Sequence, residues 1–207
     1  GILANAKEGS TVIDMTTTSP KLSIRIYEEA KSRDIKALDA PVSGGDIGAK
    51  NGTLSIMVGG DKNAFEECKD VLECMGTNII YEGRAGNGQH TKMANQIAIA
   101  GVVSGVCEAI TYAKKAGLDV NTMLNSISEG AAGSWQMSNM GPKMINEDFA
   151  PGFYIKHFIK DMKIAVEECV EFNSELKVLN KVLEMYETLE LNDCGDFGTQ
   201  ALIKYYE

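Results

Sequence analysis

The sequence predicts an α/β domain followed by an all-α domain. Up to about residue 84, the apolar residues alternate between the two-residue spacing of strands and the three- and four-residue spacing of helices. After Gly88 the strand spacing stops, and helical spacing continues to the C-terminus. A chain of 207 residues is long enough for two domains that each bury a core. We therefore expect the first domain to cover residues 1–86 and the second to cover residues 87–207.

Composition and charge indicate an ordinary globular protein with an acidic surface. Hydrophobic residues make up 44% and charged residues 24% of the chain, and the formal net charge is -9. The lysines are scattered rather than gathered into a basic stripe, which argues against nucleic acid as a partner. The most apolar stretch, residues 97–107, is interrupted by Gly101 and Ser104, and we interpret it as a buried helix too short to span a bilayer. We expect no membrane partner.

The cysteines and histidines predict free thiols and no metal site. The five cysteines form an odd-numbered set without a CxxC pair, and most fall on apolar faces of predicted helices, as reduced core thiols do. The N-terminus has neither a basic segment nor a signal-like apolar core. His90 and His157 lie far apart without a partner at ligand spacing. We expect a cytoplasmic protein that holds no metal.

Four strands and two helices are predicted in the first domain. The strands cover residues 11–15, 35–40, 54–58 and 78–81. Ser19 is the expected N-cap of the first helix, with Pro20 at the first helical position. Asp61 is expected to cap the second helix at its start and Gly76 at its end. The stretch 41–53 between the middle strands is rich in glycine, and we interpret it as a binding loop.

Three helices are predicted most clearly in the second domain. A long helix runs from about residue 90 to residue 116 and is stopped by Gly117. A later helix carries an apolar stripe at three- and four-residue spacing, and residues 197–206 form a short one. The stripe consists of Leu176, Leu179, Leu183, Tyr186 and Leu189. Because several of these helices are too apolar for a small monomeric bundle, we expect a homo-oligomer, a dimer or tetramer.

Lys92 is the candidate catalytic residue. It lies near the start of the long helix, just after the loop Gly86-Asn-Gly88, and Asn95 and Gln96 follow three and four residues later on the same face. The next turns are almost wholly apolar, so we expect this face to point into a cleft between the domains. Partial desolvation lowers the pKa of a lysine toward the range that acid/base catalysis needs. Taken alone, a lysine on an amphipathic helix is more often simply solvated.

Ser43, Gly44 and Gly45 are candidates for binding a small carboxylate. They follow the end of a predicted strand, where ligands bind in α/β domains, and glycine N–H groups approach an anion without side-chain obstruction. Thr16 and Thr17 occupy the equivalent position after the first strand. The alternatives are a plain flexible turn for the glycines and helix capping for the threonines.

Other motifs carry less weight. The loop Gly86-Asn-Gly88 lacks the third glycine of a dinucleotide fingerprint because Thr91 occupies its position, so we expect no phosphate there. No G-x-S-x-G elbow supports a hydrolase. From the residues alone, we interpret Lys160 and Asp161 as a surface ion pair.

Four motifs, in this order along the chain, resemble the β-hydroxyacid dehydrogenases. They are Asp39-Ala-Pro-Val-Ser-Gly-Gly45, Gly52-Thr-Leu-Ser-Ile-Met-Val-Gly-Gly-Asp61, Gly86-x-Gly-x-x-x-Lys92-x-x-Asn95 and Lys160-Asp161. The resemblance spans nearly the whole chain, and this family includes 3-hydroxyisobutyrate dehydrogenase and tartronate semialdehyde reductase. Gln96 stands where the family usually has a second asparagine, and its setting resembles the branch of tartronate semialdehyde reductase and 2-(hydroxymethyl)glutarate dehydrogenase.

The resemblance implies a fold, a cofactor and residue roles. The first domain would be the C-terminal part of a Rossmann-type domain. The cofactor would be NAD or NADP, and the reaction would transfer a hydride between the nicotinamide and a small 3-hydroxy acid or its semialdehyde. Lys92 would be the general acid/base. The substrate carboxylate would be held by Ser43, Gly44, Gly45, Asn95 and Gln96, and the dinucleotide would contact Thr16, Thr17 and Lys160.

One departure from the family pattern leaves alternatives open. In the family, these motifs are preceded by a first strand, a G-x-G-x-x-G loop and about one further βαβ unit. This sequence does not contain that segment, so we expect an N-terminally truncated copy. One alternative is therefore a catalytically inert fragment, or a binding or scaffold module of the same fold. Another is an oxidative decarboxylation of the 6-phosphogluconate dehydrogenase type, for which the sequence offers no clustered arginines to bind a substrate phosphate.

Overall fold

A five-stranded mixed sheet forms the framework of the N-terminal half. The computed structural model describes residues 1–207, which divide into a first unit, Gly1–Ala94, and a second unit, Asn95–Glu207. The strands are β1 Thr11–Asp14, β2 Lys36–Asp39, β3 Val42–Ser43, β4 Leu54–Gly60 and β5 Gly76–Gly83. Strand β4 pairs with β5 in parallel on one edge and with β2 and then β3, both antiparallel, on the other. Strand β1 extends the sheet by parallel pairing with β2.

Four helices accompany the sheet, and two of them provide its apolar cover. They are α1 Ile2–Asn5, α2 Pro20–Lys31, α3 Gly45–Asn51 and α4 Lys62–Glu73. Helix α4 inserts Phe65 and Leu72 into a buried cluster with Ile56 and Val58 of β4. Helix α2 begins as the sequence predicts, because the Ser19 hydroxyl accepts the Leu22 N–H and Pro20 is the first helical residue. The α/β class predicted for this half is confirmed.

Three local expectations in the first unit are wrong. The stretch 41–53 is not an open loop, because it contains β3 and α3. Gly76 is not a helix C-cap but the first residue of β5, where a Cβ would lie 2.4 Å from the Leu54 carbonyl oxygen. Asp61 stands at the N-cap position of α4 without making a capping bond, and its carboxylate accepts the Tyr27 hydroxyl at 2.9 Å instead.

The second unit is all helical, as predicted. Helix α5, Asn87–Lys115, begins in the first unit and continues into the second, and Gly117 follows its end with a φ of 73°. The remaining helices are α6 Val120–Ser128, α7 Trp135–Ile145, α8 Ile155–Glu171, α9 Lys177–Leu191 and a 3-10 helix, Thr199–Tyr206. Helices α8 and α9 meet through Phe158 and Tyr186, whose rings pack edge to face at 5.3 Å.

Helix α5 is longer than its most apolar stretch suggests. Its 29 residues contain an 18-residue window that is long and apolar enough to cross a membrane by length and composition, so the expectation of a helix too short to span a bilayer is wrong. The core helix of a globular protein passes the same test. Here, Ala100, Val103, Val106 and Ile110 on α5 are buried in the core.

Candidate active site

Lys92 is buried, and its ammonium group is held by the backbone of the first unit. The residue lies in the second turn of α5, and only 7% of its surface is exposed. Its Nζ donates a hydrogen bond of 2.8 Å to the carbonyl oxygen of Val42. Val42 directly precedes Ser43, Gly44 and Gly45, so the ammonium lies at the start of the glycine segment. A solvated lysine on an amphipathic helix is therefore not what the structure contains.

The segment after Val42 is shaped by its two glycines. Gly44 has a φ of 136° and Gly45 a φ of 64°, a region of backbone space that residues with a Cβ rarely adopt. A Cβ at Gly44 would also lie 3.1 Å from the Leu54 side chain. Both glycines are exposed, and helix α3 begins at Gly45. The segment thus presents backbone at the surface directly beside the buried lysine.

Asp39 anchors the first turn of α5 to the end of β2. One carboxylate oxygen, Oδ1, accepts the N–H of Gly86 at 2.8 Å, and Oδ2 accepts the N–H of Gln89 at 3.0 Å. Burial raises the pKa of the Asp39 carboxyl above its ordinary value, and the two N–H donors act in the opposite direction. Because the amides at this helix start are already donated to an internal carboxylate, the loop Gly86-Asn-Gly88 does not fit a cofactor pyrophosphate.

Gln89 connects the same turn of α5 to the segment after β1. Its fully buried side chain donates Nε2–H to the Thr16 carbonyl at 2.8 Å and accepts the Thr18 N–H with Oε1 at 3.2 Å. The segment is fixed a second time by Asp14, whose Oδ1 accepts the N–H and the hydroxyl of Thr16 at 2.9 and 2.7 Å. Thr16 is exposed and Thr17 half-buried. This fixed segment follows the carboxyl end of a parallel strand, which is where ligands bind in open α/β sheets.

A second polar cluster lies within the helical unit. Asn95 donates Nδ2–H to Gln96 Oε1 at 2.7 Å, and Gln96 donates Nε2–H to Asp161 Oδ2, also at 2.7 Å. Gln96 and Asp161 are each only 2% exposed. The Lys160 ammonium lies 2.9 Å from Asp161 Oδ1 and forms an ion pair with it. The expectation of a simple surface pair is wrong for Asp161, whereas Lys160 is half exposed.

Reasoning from the sequence alone gave no organising role to three residues, Asp39, Gln89 and Asp161, that hold these clusters together. Asp39 could have been found, because a carboxylate inside the apolar run 35–40 needs partners if the run is a buried strand. Gln89 carries no such signal, since its partners are backbone groups that every residue has. Asp161 was interpreted as half of a surface ion pair, and its burial could not be inferred from one turn of helix. The structure groups no three His, Cys, Asp or Glu side chains for a metal, and all five cysteines are unpaired.

Comparison with known protein domains identifies the class. Residues 86–206 match a domain described as NAD-binding of NADP-dependent 3-hydroxyisobutyrate dehydrogenase. Residues 1–83 match the NAD binding domain of 6-phosphogluconate dehydrogenase. Both halves of the chain therefore belong to domains of nicotinamide-dependent oxidoreductases, and the cofactor class is NAD or NADP.

Individual relatives narrow the class to one family. The chain is 54% identical over 206 residues to the uncharacterized oxidoreductase YkwC of Bacillus subtilis, covering 100% of this chain and 72% of that protein. It is 37% identical to the 2-hydroxy-3-oxopropionate reductase of Escherichia coli, covering 97% and 68%. A solved structure of Mycobacterium tuberculosis 3-hydroxyisobutyrate dehydrogenase with L-serine has a TM-score of 0.89 at 30% identity, covering 98% and 72%. The chain belongs to the 3-hydroxyisobutyrate dehydrogenase family, the β-hydroxyacid dehydrogenases.

Proposed function

We propose that this protein is an NAD(P)-dependent oxidoreductase of small 3-hydroxy acids or their semialdehydes, with Lys92 as the general acid/base. The observation that carries the proposal is the burial of Lys92, with its Nζ 2.8 Å from the Val42 carbonyl and next to the glycine segment. A 3-hydroxy acid whose carboxylate is bound by Ser43, Gly44 and Gly45 would have its hydroxyl group near the Lys92 Nζ. Geometry of this kind is the first requirement for proton transfer.

The names of the relatives support the substrate class. 3-Hydroxyisobutyrate and 2-hydroxy-3-oxopropionate both carry an oxygen on the carbon next to the one that bears the carboxylate. L-Serine, present in the tuberculosis structure, has the same arrangement. A site for such molecules needs one anchor for the carboxylate and one proton-transferring group a few ångströms away, and Ser43, Gly44, Gly45 and Lys92 offer both.

The residues of the helical unit take supporting roles in this proposal. Asn95 offers its amide to the substrate carboxylate, and Gln96 acts mainly through Asn95, because both ends of its own amide are already bonded. Lys160, half exposed beside Asp161, contributes a positive charge toward the anionic dinucleotide.

Proton and hydride movements are divided between chain and cofactor. When bound, the cofactor would supply the hydride acceptor for oxidation of the carbinol or the hydride donor for reduction of the aldehyde. Thr16 and Thr17 would contact its nicotinamide from a segment that Gln89 and Asp14 hold in place. Lys92 takes the hydroxyl proton in oxidation and returns a proton to the oxygen in reduction, so charge and protons balance in both directions.

Replacement of Lys92 tests the proposal. The Lys92→Ala variant is expected to lower kcat by about 10²–10⁴-fold, while the Kd for NADH or NADPH changes by less than about threefold, because the amine acts mainly in the transition state. Lys115→Ala is the matched control, since Lys115 is an exposed lysine in the last turn of the same helix. Turnover is measured with 3-hydroxyisobutyrate, L-serine and 2-hydroxy-3-oxopropionate.

Three results would contradict the proposal. Near-normal turnover in Lys92→Ala would remove Lys92 from the mechanism. Cofactor binding without turnover of any tested acid, or no cofactor binding by the unmodified chain, would favour a binding or scaffold module of the same fold.

We also propose that the protein is a cytoplasmic homo-oligomer. Large apolar side chains are exposed on the helical unit, with Leu191 at 87%, and a partner subunit would remove such surface from water. The others are Tyr112, Leu118, Trp135, Tyr154, Val170, Phe172, Val178 and Phe197. Light scattering is expected to give the mass of a dimer or tetramer, and a monomeric mass would refute the proposal. Five unpaired cysteines suit a reducing compartment, which cell fractionation tests.

A further inference from the structure

Asp39 and Lys92 both link helix α5 to the segment 39–42, at neighbouring points. The residues 39–42 run from the end of β2 to the start of β3. At one end of this segment, the Asp39 carboxylate holds the first turn of α5 through the N–H groups of Gly86 and Gln89. At the other end, the Val42 carbonyl accepts the Lys92 ammonium. Lys92 lies three residues after Gln89, so both links lie on one face of the helix.

The Asp39 carboxylate lies close against the backbone at two glycines, Gly59 and Gly88. A Cβ at Gly59 would lie 2.6 Å from Asp39 Oδ1, and a Cβ at Gly88 would lie 2.8 Å from Asp39 Oδ2. Only glycine therefore fits at either position while the carboxylate stays where it is. The N–H groups at the start of α5 have no acceptor within the helix, and the Asp39 carboxylate supplies one. A negative charge is also favourable at a helix N-terminus.

We propose that Asp39 is a positioning residue for Lys92. Its side chain is buried and both of its carboxylate oxygens accept backbone N–H groups, so it acts on Lys92 through the fold. By fixing the first turn of α5 against the end of β2, it sets the point from which the Lys92 side chain reaches the Val42 carbonyl. Two bonds from one carboxylate to two N–H groups resist both translation and rotation of the turn, which a single cap bond does not. The expected effect of Asp39 on catalysis rests on the proposed dehydrogenase function. Its effect on the position of Lys92 can be tested without that function.

The variant that tests the proposal is Asp39→Asn. An asparagine of nearly the same shape offers one acceptor oxygen where two N–H groups need acceptors, and its own NH₂ group faces the second N–H. The first turn of α5 is then held by one bond at most, and Lys92 is expected to leave the Val42 carbonyl part of the time. Asp119→Asn is the matched control, because Asp119 accepts the Thr122 N–H at 2.7 Å as the N-cap of α6, far along the chain from Lys92.

The readout is the reactivity of the Lys92 amine itself. Each protein is treated with acetic anhydride, and the acetylation of Lys92 relative to exposed Lys115 is followed by peptide mass spectrometry. In Asp39→Asn the relative rate at Lys92 is expected to rise about tenfold or more, with no change in Asp119→Asn. Alkylation of Cys68, which packs against the core of the same unit, reports general loosening and is expected to stay unchanged.

Activity supplies the second readout. A misplaced general acid/base is expected to lower kcat by about 10–100-fold in Asp39→Asn without a matching change in cofactor Kd. If Lys92 acetylation rises while no acid is turned over by the unmodified protein, the positioning role stands and the dehydrogenase proposal fails. If Lys92 acetylation is unchanged in folded Asp39→Asn, or rises only in parallel with Cys68 alkylation, the positioning role is overturned.

A second variant covers the case in which Asp39→Asn does not fold. Gly59→Ala keeps the carboxylate but places a methyl group 2.6 Å from its Oδ1. It is expected to displace Asp39 and raise Lys92 acetylation as well. An unchanged rate at Lys92 in folded Gly59→Ala would contradict the proposal.

Discussion

Two polar clusters involve helix α5, and they differ in what their side chains contact. In the first unit, Asp39, Gln89 and Lys92 all bond to backbone N–H or carbonyl groups. In the second unit, Gln96 bonds to another side chain, the carboxylate of Asp161. A side chain bonded to backbone keeps its partner whatever residue stands there. A side chain bonded to another side chain loses it with one substitution.

The difference extends to the packing around each cluster. A side chain reaches backbone only where the chain has room, and here that room depends on the missing Cβ atoms of Gly59 and Gly88. The first cluster is therefore expected to be sensitive to added atoms and the second to removed partners. A substitution that adds an atom to the first cluster and one that removes a partner from the second test this difference.

The largest effect is expected from Gly88→Ala. A Cβ there would lie 2.4 Å from the Met57 carbonyl oxygen and 2.8 Å from that of Asp39, and backbone atoms of a sheet cannot move aside as a flexible side chain can. The free energy of unfolding is expected to fall by about 3 kcal/mol, at the upper end of the usual cost of overpacking. Urea denaturation measures it.

Gly105→Ala is the control on the same helix. No atom lies within 4 Å of a Cβ at Gly105, and neither glycine has a positive φ. Alanine in place of a mid-helix glycine is expected to add about 0.5–1 kcal/mol of stability, because it restricts the unfolded chain. If Gly88→Ala and Gly105→Ala changed the free energy of unfolding equally, the backbone around the start of α5 would accommodate an added methyl group. The first cluster would then not be sensitive to added atoms.

The fold was predictable where it depends on neighbours in sequence. The N-cap at Ser19, the two middle strands and the end of the long helix before Gly117 all follow from local patterns, and the structure confirms them. Strand β3 and helix α3 were missed for the opposite reason. A two-residue strand has no period, and its residues Val42 and Ser43 are extended because they pair with Ile56 and Ser55.

The residues of the candidate site were selected from the sequence, but the bonds between them could not be. Lys92 and the glycine segment were both selected from the sequence, yet the bond from Lys92 to Val42 has a backbone acceptor and leaves no mark in the residue pattern. The bond between Gln96 and Asp161 joins residues that lie 65 positions apart. Single-residue spacing on one helix cannot predict such a pair, because it depends on how α5 and α8 pack in the helical unit.

The smaller effect is expected from Asp161→Ala. It leaves the Gln96 Nε2–H buried without its acceptor, which costs about 2 kcal/mol of unfolding free energy, whereas the half-exposed Lys160 ammonium is simply hydrated. Asp196→Ala is the control, because the Lys156–Asp196 pair is exposed and its loss is expected to cost less than about 1 kcal/mol. Equal costs for the two alanine variants would mean that burial adds nothing to the Asp161 pair.

Asp161→Asn then separates the hydrogen bond from the ion pair. Its amide oxygen can still accept Gln96 Nε2–H, while the charge beside Lys160 is gone. If the side-chain bond to Gln96 dominates, Asp161→Asn recovers at least half of the stability that Asp161→Ala loses, which is about 1 kcal/mol in urea denaturation. A loss as large as that of Asp161→Ala would assign the stability to the ionic contact with Lys160. The helical cluster would then depend on charge rather than on a matched pair of hydrogen-bonding side chains.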